Sequence, residues 1–430
     1  MKKIFVLLLA LLLCVGLCAC GEDAATSVET SDAPGASNPA DTEGQGESPD
    51  DNKNSDKNEN DQNDQNDDEV GDDQNTNLTS TLELHSTVSG IRLLGERFIP
   101  SDSQINLDWV GSGIEFVIHN IDRTIIFAGE SSAACLFRVY VDGEVWRTVA
   151  DEEYYILNGK GNIFISALPV GTHTIRIVKV TDPSLAIAKL TSMTYTGTIS
   201  ESVPPANDLY IEFVGGAETV GMGLLGNADA GYSSEDGALA YPYLIAESMK
   251  ADYAVTGISS GMALCAEGID AVSLYGLASP ARDMNASYGF ARKADIVVVN
   301  LGAGDFALSV ADETVTPEAF QAKYKALLQA IRTANGADSK IVCVYDDAYG
   351  DFADAIRDVY DELGRQKAGY YLCRQISADG VLDVAEQSAF AVRMKAVLTY
   401  AKDGILTEKE MNAAQSGDGL SISFKDFINA

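Results

Sequence analysis

The hydrophobic period of this chain changes once, at Pro204-Pro205, and that change limits the fold more than any single motif. Before it, apolar and polar residues alternate in short runs: Ile114-Glu115-Phe116-Val117-Ile118, Phe137-Arg138-Val139-Tyr140-Val141, Val145-Trp146-Arg147-Thr148-Val149 and Thr174-Ile175-Arg176-Ile177-Val178-Lys179-Val180. A period of two belongs to strands with one face in a core and one in solvent. Asp142-Gly143 separates two of these runs and supplies the positive backbone angles of a tight hairpin. Residues 81–203 are therefore expected to form an all-β sandwich.

Beyond the prolines the period lengthens. Segments 210–214, 253–258, 296–301, 341–345 and 370–373 are near-continuous apolar runs, as parallel strands covered on both faces are. Amphipathic stretches lie between them. The clearest predicts a helix with Thr316 as N-cap, Pro317 at its first position, Phe320, Tyr324, Leu327, Leu328 and Ile331 on one face, and Gly336 past its end. Residues 207–402 are expected to form a doubly wound α/β domain, which binds ligands at the carboxyl ends of its strands.

Charge is spread unevenly over the 430 residues. Of a net −34, residues 21–80 carry −16, with 18 acidic against 2 basic side chains and almost nothing apolar. Such a segment cannot bury enough surface to offset its chain entropy, and it reads as a disordered acidic linker. The overall charge argues against a nucleic-acid partner, whose binding needs phosphate neutralisation. In residues 1–20, Lys2 and Lys3 precede an apolar run, 4–17, that is short for a membrane span and placed as a signal peptide's is. Its end, Leu17-Cys18-Ala19-Cys20-Gly21, resembles the bacterial lipobox. The resemblance implies lipidation at Cys20 and an extracytoplasmic protein held on the cell membrane by acyl chains.

Cys135, Cys265, Cys343 and Cys373 show no metal-ligand spacing. Cys343 and Cys373 lie in apolar runs and read as buried thiols, with a disulfide between them as the alternative. In the extension 403–430, Asp403-Gly404-Ile405-Leu406-Thr407-Glu408-Lys409-Glu410 resembles the second half of an EF-hand loop, but the first ligand positions would be Thr399 and Ala401. A capping box from Thr407 to Glu410 explains the same letters. No metal and no cofactor is assigned.

The strand ends read Phe213-Val214-Gly215-Gly216-Ala217-Glu218-Thr219, Ile258-Ser259-Ser260-Gly261, Asn300-Leu301-Gly302-Ala303-Gly304-Asp305 and Ser377-Ala378-Asp379-Gly380-Val381. Together with Ile91-Arg92-Leu93-Leu94-Gly95, Trp109-Val110-Gly111-Ser112-Gly113, Val139-Tyr140-Val141-Asp142-Gly143 and Gly171-Thr172-His173-Thr174-Ile175, they make residues 91–400 resemble the SGNH hydrolases, and more narrowly carbohydrate esterase family 2. The resemblance implies a β jelly-roll sandwich followed by a flavodoxin-like SGNH domain with a parallel sheet. It also implies deacetylation of plant polysaccharides by a Ser nucleophile and a His base, with an Asn donor to the oxyanion.

At those places the sequence departs from the family. Gly215-Gly216-Ala217 stands where the family has Gly-Asp-Ser, Gly302-Ala303-Gly304-Asp305 where it has Gly-x-Asn-Asp, and Val381-Leu382-Asp383 where it has His-Pro-Ser. Ala217, Gly304 and Val381 are thus vestigial positions, while Gly261, Asp305 and Asp379 remain. The three histidines, His85, His119 and His173, all precede the α/β domain, so no shift of register supplies a base there.

Three functions follow as expectations. The first is a surface-anchored, catalytically inactive esterase fold that binds polysaccharide or acetylated sugar. The second is a hydrolase with a non-standard site: either an acetyl esterase, or a glycosidase or metal-assisted hydrolase built on carboxylates at strand ends, Glu218, Asp305, Asp346-Asp347 and Asp379, set against their reading as helix caps. The third is a structural or adhesive lipoprotein. Ser259 and Ser260 read as turn residues, and Trp109 and Trp146 equally as core or as sugar platforms.

Overall fold

The computed structural model describes residues 79–404, apart from 227, 260–261, 267–269, 312–314 and 378–381. Cys20, the acidic linker up to residue 78 and the extension beyond 404 lie outside the described residues.

The first layer is a ten-stranded antiparallel sheet. Its strands are β1 (Ser80–Glu83), β2 (Ile91–Leu94), β3 (Ile105–Leu107), β4 (Gly113–Ser131), β5 (Cys135–Val141), β6 (Glu144–Val145), β7 (Tyr155–Leu157), β8 (Lys160–Lys179), β9 (Ala188–Tyr195) and β10 (Thr198–Ile199). β4 and β8 pair along most of their length and slip register between Ile118 and Ile125, where Asn120 and Arg123 take positive φ. Residues from both sides of this slip share one core. Phe116 from the first half meets Phe127 from the second edge-on, with ring centroids 6.2 Å apart.

The Asp142-Gly143 hairpin forms as its letters require, with φ of 54° and 89° and Tyr140 opposite Val145. The expected strand 145–149 does not. It stops at Val145 because the Thr148 hydroxyl accepts the amides of Ala150 and Glu152 and folds the chain into a local turn.

The second layer is a five-stranded parallel sheet of β11 (Tyr210–Gly215), β12 (Asp252–Gly257), β15 (Ile296–Asn300), β16 (Lys340–Tyr345) and β17 (Tyr370–Arg374), in the order β12-β11-β15-β16-β17. A hairpin of β13 (Leu277–Ser279) and β14 (Asp283–Ser287) stands apart from it. The helices are α1 (Ala217–Val220), α2 (Tyr241–Met249), α3 (Ala271–Tyr275), α4 (Ala303–Ala311), α5 (Pro317–Asn335), α6 (Asp351–Glu362) and α7 (Val384–Asp403). α5 is the helix expected from sequence: Thr316 accepts the Ala319 amide, and Phe320, Tyr324, Leu327, Leu328 and Ile331 are buried.

The two faces of the sheet carry separate cores. Cys343 belongs to one and Cys373 to the other, so these thiols point away from each other although β16 and β17 are neighbours. Both are free, and burial pushes each up to about 12.

The layers are riveted by buried polar contacts. Arg97 of the β layer is wholly buried, donates to Glu212 of β11 at 2.7 Å and to the carbonyls of Tyr275 and Leu277, and lies 4.2 Å from the Tyr288 ring centroid. Trp109 donates to the Ala278 carbonyl at 2.7 Å, and Arg282 pairs with Asp108 at 2.6 Å. All but the Glu212 contact land on the β13–β14 hairpin or next to it.

Candidate functional site

In a parallel sheet the chain leaves a crevice where successive connections depart to opposite sides. Here β11 is followed by β12 on one flank and β15 on the other, so the crevice opens outside Gly215 and Asn300. Gly215 is required by close approach: a Cβ there would lie 2.0 Å from the Thr219 hydroxyl and 2.9 Å from the Asn300 carbonyl. The chain can then turn directly into α1. Gly216 and Ala217 at its start are half-buried, and nothing lies within 4 Å of where a Gly216 Cβ would stand.

Glu218 follows and turns inward. It is buried, and desolvation pushes its carboxyl up, with the Asp346 charge adding to the effect and a hydrogen bond with Tyr349 opposing it. Asp346, at the end of β16, accepts the Ala348 amide at 2.9 Å and the Ser377 hydroxyl at 2.8 Å. The Tyr349 ring rests on Phe306 of α4, centroids 5.5 Å apart. Asn300 donates to Gln375 at 2.9 Å and so joins the ends of β15 and β17. The crevice thus has an acidic floor, Glu218 with Asp346, and an aromatic edge.

The other strand-end carboxylates do not join that floor. Asp305 is fully buried in the first turn of α4, where it accepts the amides of Leu264 at 3.0 Å and Cys265 at 2.7 Å. Burial pushes its carboxyl up and these two bonds pull it down, so it fastens the 262–265 segment to the helix. That segment lies close against Gly304, where a Cβ would stand 3.2 Å from the Ala263 Cβ. Asp347 is engaged by Arg357 and, at 2.6 Å, by Arg374. Val381, Gly261, Asp379 and Ser260 lie outside the described residues.

Ser259 is held by the β layer. Its amide donates to Asp182 at 2.7 Å and its hydroxyl lies 3.3 Å from that of Ser184. The Asp182 amide in turn donates to Glu235 at 2.9 Å. Asp182 and Glu235 are almost completely buried, and burial, reinforced by the Asp182 carboxylate, pushes the Glu235 carboxyl up to about 8. Sequence reading missed this cluster. Asp182-Pro183-Ser184 signals an Asx turn, and Asp182 does accept the Ser184 amide at 2.8 Å, but nothing local shows that its other oxygen reaches Ser259.

The histidines are occupied within the β layer. His85 bonds Thr87, His119 bonds Thr172, and His173 bonds Asp142 at 2.7 Å and the Pro169 carbonyl at 3.1 Å. Trp109 is a buried anchor, and Trp146 packs on the β core with its indole nitrogen on the Ser166 carbonyl. Among the described residues no group of three or more His, Cys, Asp or Glu side chains could hold a metal ion.

No family model matches the chain. It is 22% identical over 266 residues to the acetylxylan esterase / glucomannan deacetylase of Cellvibrio japonicus, covering 56% of this chain and 71% of that protein. The solved structure of a family two carbohydrate esterase from the same organism superposes with a TM-score of 0.65 at 14% identity, over 76% of this chain and 100% of that one. The fold is that of the family-two carbohydrate esterases. A second family-two structure, from Clostridium thermocellum in complex with cellohexaose, superposes with a TM-score of 0.64 at 21% identity, over 74% of this chain and 100% of that one. The SGNH-hydrolase-like part of the family-two fold is the parallel sheet with its helices, and the crevice lies at its switch point.

Proposed function

We propose that this protein is a catalytically silent family-two esterase fold, a jelly roll joined to an SGNH domain, that binds polysaccharide in the crevice and is anchored to the cell surface through Cys20. The observation that carries the reading is at the end of β11. Ala217, at the start of α1, presents a methyl group where the family places its nucleophile, and every histidine is bonded inside the β layer. Nucleophile and base act as a unit, so losing both removes the chemistry. The cellohexaose held by the Clostridium thermocellum relative supports a β-linked glucan or a similar polysaccharide as ligand.

The purified chain is expected to release no acetate from acetylated xylan above a heat-killed control, and Ala217→Ser alone to restore none. Gly216→Asp enters open space, but Gly304→Asn must displace Ala263, so the smallest rebuilding set is Gly216→Asp, Ala217→Ser, Gly304→Asn, Val381→His and Ala263→Gly. Wild-type turnover abolished by Ser259→Ala would sink the silent reading. The anchor is tested separately: palmitate label should enter the wild type and vanish in Cys20→Ala, and label persisting in that variant overturns the lipid site.

A second reading rests on Glu218. A buried carboxyl whose proton is held more tightly beside a second carboxylate has the makings of an acid–base pair, and Glu218, pushed up by burial, lies within the field of Asp346. Release of reducing sugar that disappears in Glu218→Gln would favour this glycosidase reading over silent binding.

A further inference from the structure

A cavity of about 250 Å³ opens between the two layers at the opposite end of the parallel sheet from the crevice. Asp252 and Tyr253, the first residues of β12, line it, whereas the crevice lies beyond the carboxyl end of that sheet. The five steps along the six residues of β12, at ~3.3 Å each, put roughly 17 Å of strand between the two places.

The charges around the cavity are nearly all spent on one another. Arg92 bridges Glu115, at 3.2 Å, and Asp252, and Arg176 holds Glu247 at 2.8 Å. Lys250 is the exception: it is exposed at the rim and has no ion-pair partner among the described residues. It is also the C-cap of α2, with φ 50° and ψ 49°, a left-handed position that glycine usually fills and that costs a side chain about 1 to 2 kcal/mol. The Tyr253 hydroxyl likewise has no hydrogen-bond partner among the described residues, and burial pushes the phenol well up, so it stays a neutral donor. Gly111, at φ 81°, admits that ring: a Cβ there would lie 2.8 Å from its oxygen.

We propose that this cavity binds a single sugar acid, its carboxylate on Lys250 and a ring hydroxyl on Tyr253, beside Tyr243, which also lines the cavity. One unpaired cation matches one negative charge, and a neutral sugar would leave it unmatched. A phosphate dianion would meet the carboxylates of Glu115, Glu247 and Asp252. The volume falls below the ~300 to 1,000 Å³ of drug-sized sites, which fits one ring and not an oligosaccharide. The site is independent of the polysaccharide-binding reading of the crevice.

Titration calorimetry of the full chain with sodium glucuronate tests this, with glucose and sodium acetate as comparators. Glucuronate should bind saturably and more tightly than either. Lys250→Gln, an exposed change, should weaken it about tenfold, and Tyr253→Phe about fivefold, as losses of one charge contact and one hydrogen bond do. A cello-oligosaccharide directed at the crevice should not compete. Absent glucuronate binding, acetate binding of equal strength, full-strength binding by Lys250→Gln, or displacement by the cello-oligosaccharide each overturns the proposal.

Discussion

Arg97→Met is expected to lower the unfolding free energy by about 3 to 5 kcal/mol, the range found when one partner of a buried ion pair is removed. The side chain belongs to the β layer, yet its guanidinium sits wholly buried against Glu212 of β11 in the parallel sheet. Its loss leaves the Glu212 carboxyl in the interior without its cation, with the hydroxyls of Thr256 and Tyr275 as its remaining side-chain donors. It also leaves the carbonyls of Tyr275 and Leu277 without the guanidinium donor. Adding Glu212→Gln to Arg97→Met removes the stranded charge, so the double variant should be more stable than the single. Urea unfolding of the three proteins reads both effects. A loss below about 1 kcal/mol, the scale of exposed pairs, would mean that the rivet does not hold the layers.

Glu235→Gln should change how stability depends on pH. In the folded protein the Glu235 carboxyl is pushed up to about 8, because it is buried beside the Asp182 carboxylate and the bond from the Asp182 amide and the Lys179 ammonium only partly oppose this. In the unfolded chain a glutamate titrates near pH 4.3. Between those values the folded state holds a proton that the unfolded state has released, so stability is greatest at the acid end and falls as pH rises toward 8. The loss is about 1.4 kcal/mol per unit and on the order of 5 kcal/mol in all. Glutamine keeps an acceptor for the Asp182 amide and never ionises. The melting temperature of Glu235→Gln should therefore overtake that of the wild type above pH 7, and parallel curves from pH 5 to 9 would refute the assignment. Because Asp182 also holds the Ser259 amide, the same titration bears on the rim of the crevice.

Local physics made much of the second layer readable. The five strands lie within a residue or so of their apolar runs, because a strand covered on both faces must be apolar throughout. α5 begins and ends where its own cap residues say it does, and the Asp142-Gly143 hairpin needed only its two central residues. That all three histidines precede the second layer is likewise read from the sequence alone. The destinations of the polar side chains were decided by tertiary structure. Asp305 and Glu218 look alike as carboxylates past strand ends, yet one was taken by backbone amides some forty residues away and the other was buried within the field of Asp346. Arg97 and Asp182 give no sign in sequence of crossing into the other layer, and the β13–β14 hairpin that receives much of the β layer is too polar to announce itself. A strand or a cap is set by residues within a few positions of itself. A buried charge is set by whichever distant groups pack around it, and only the folded chain brings those together.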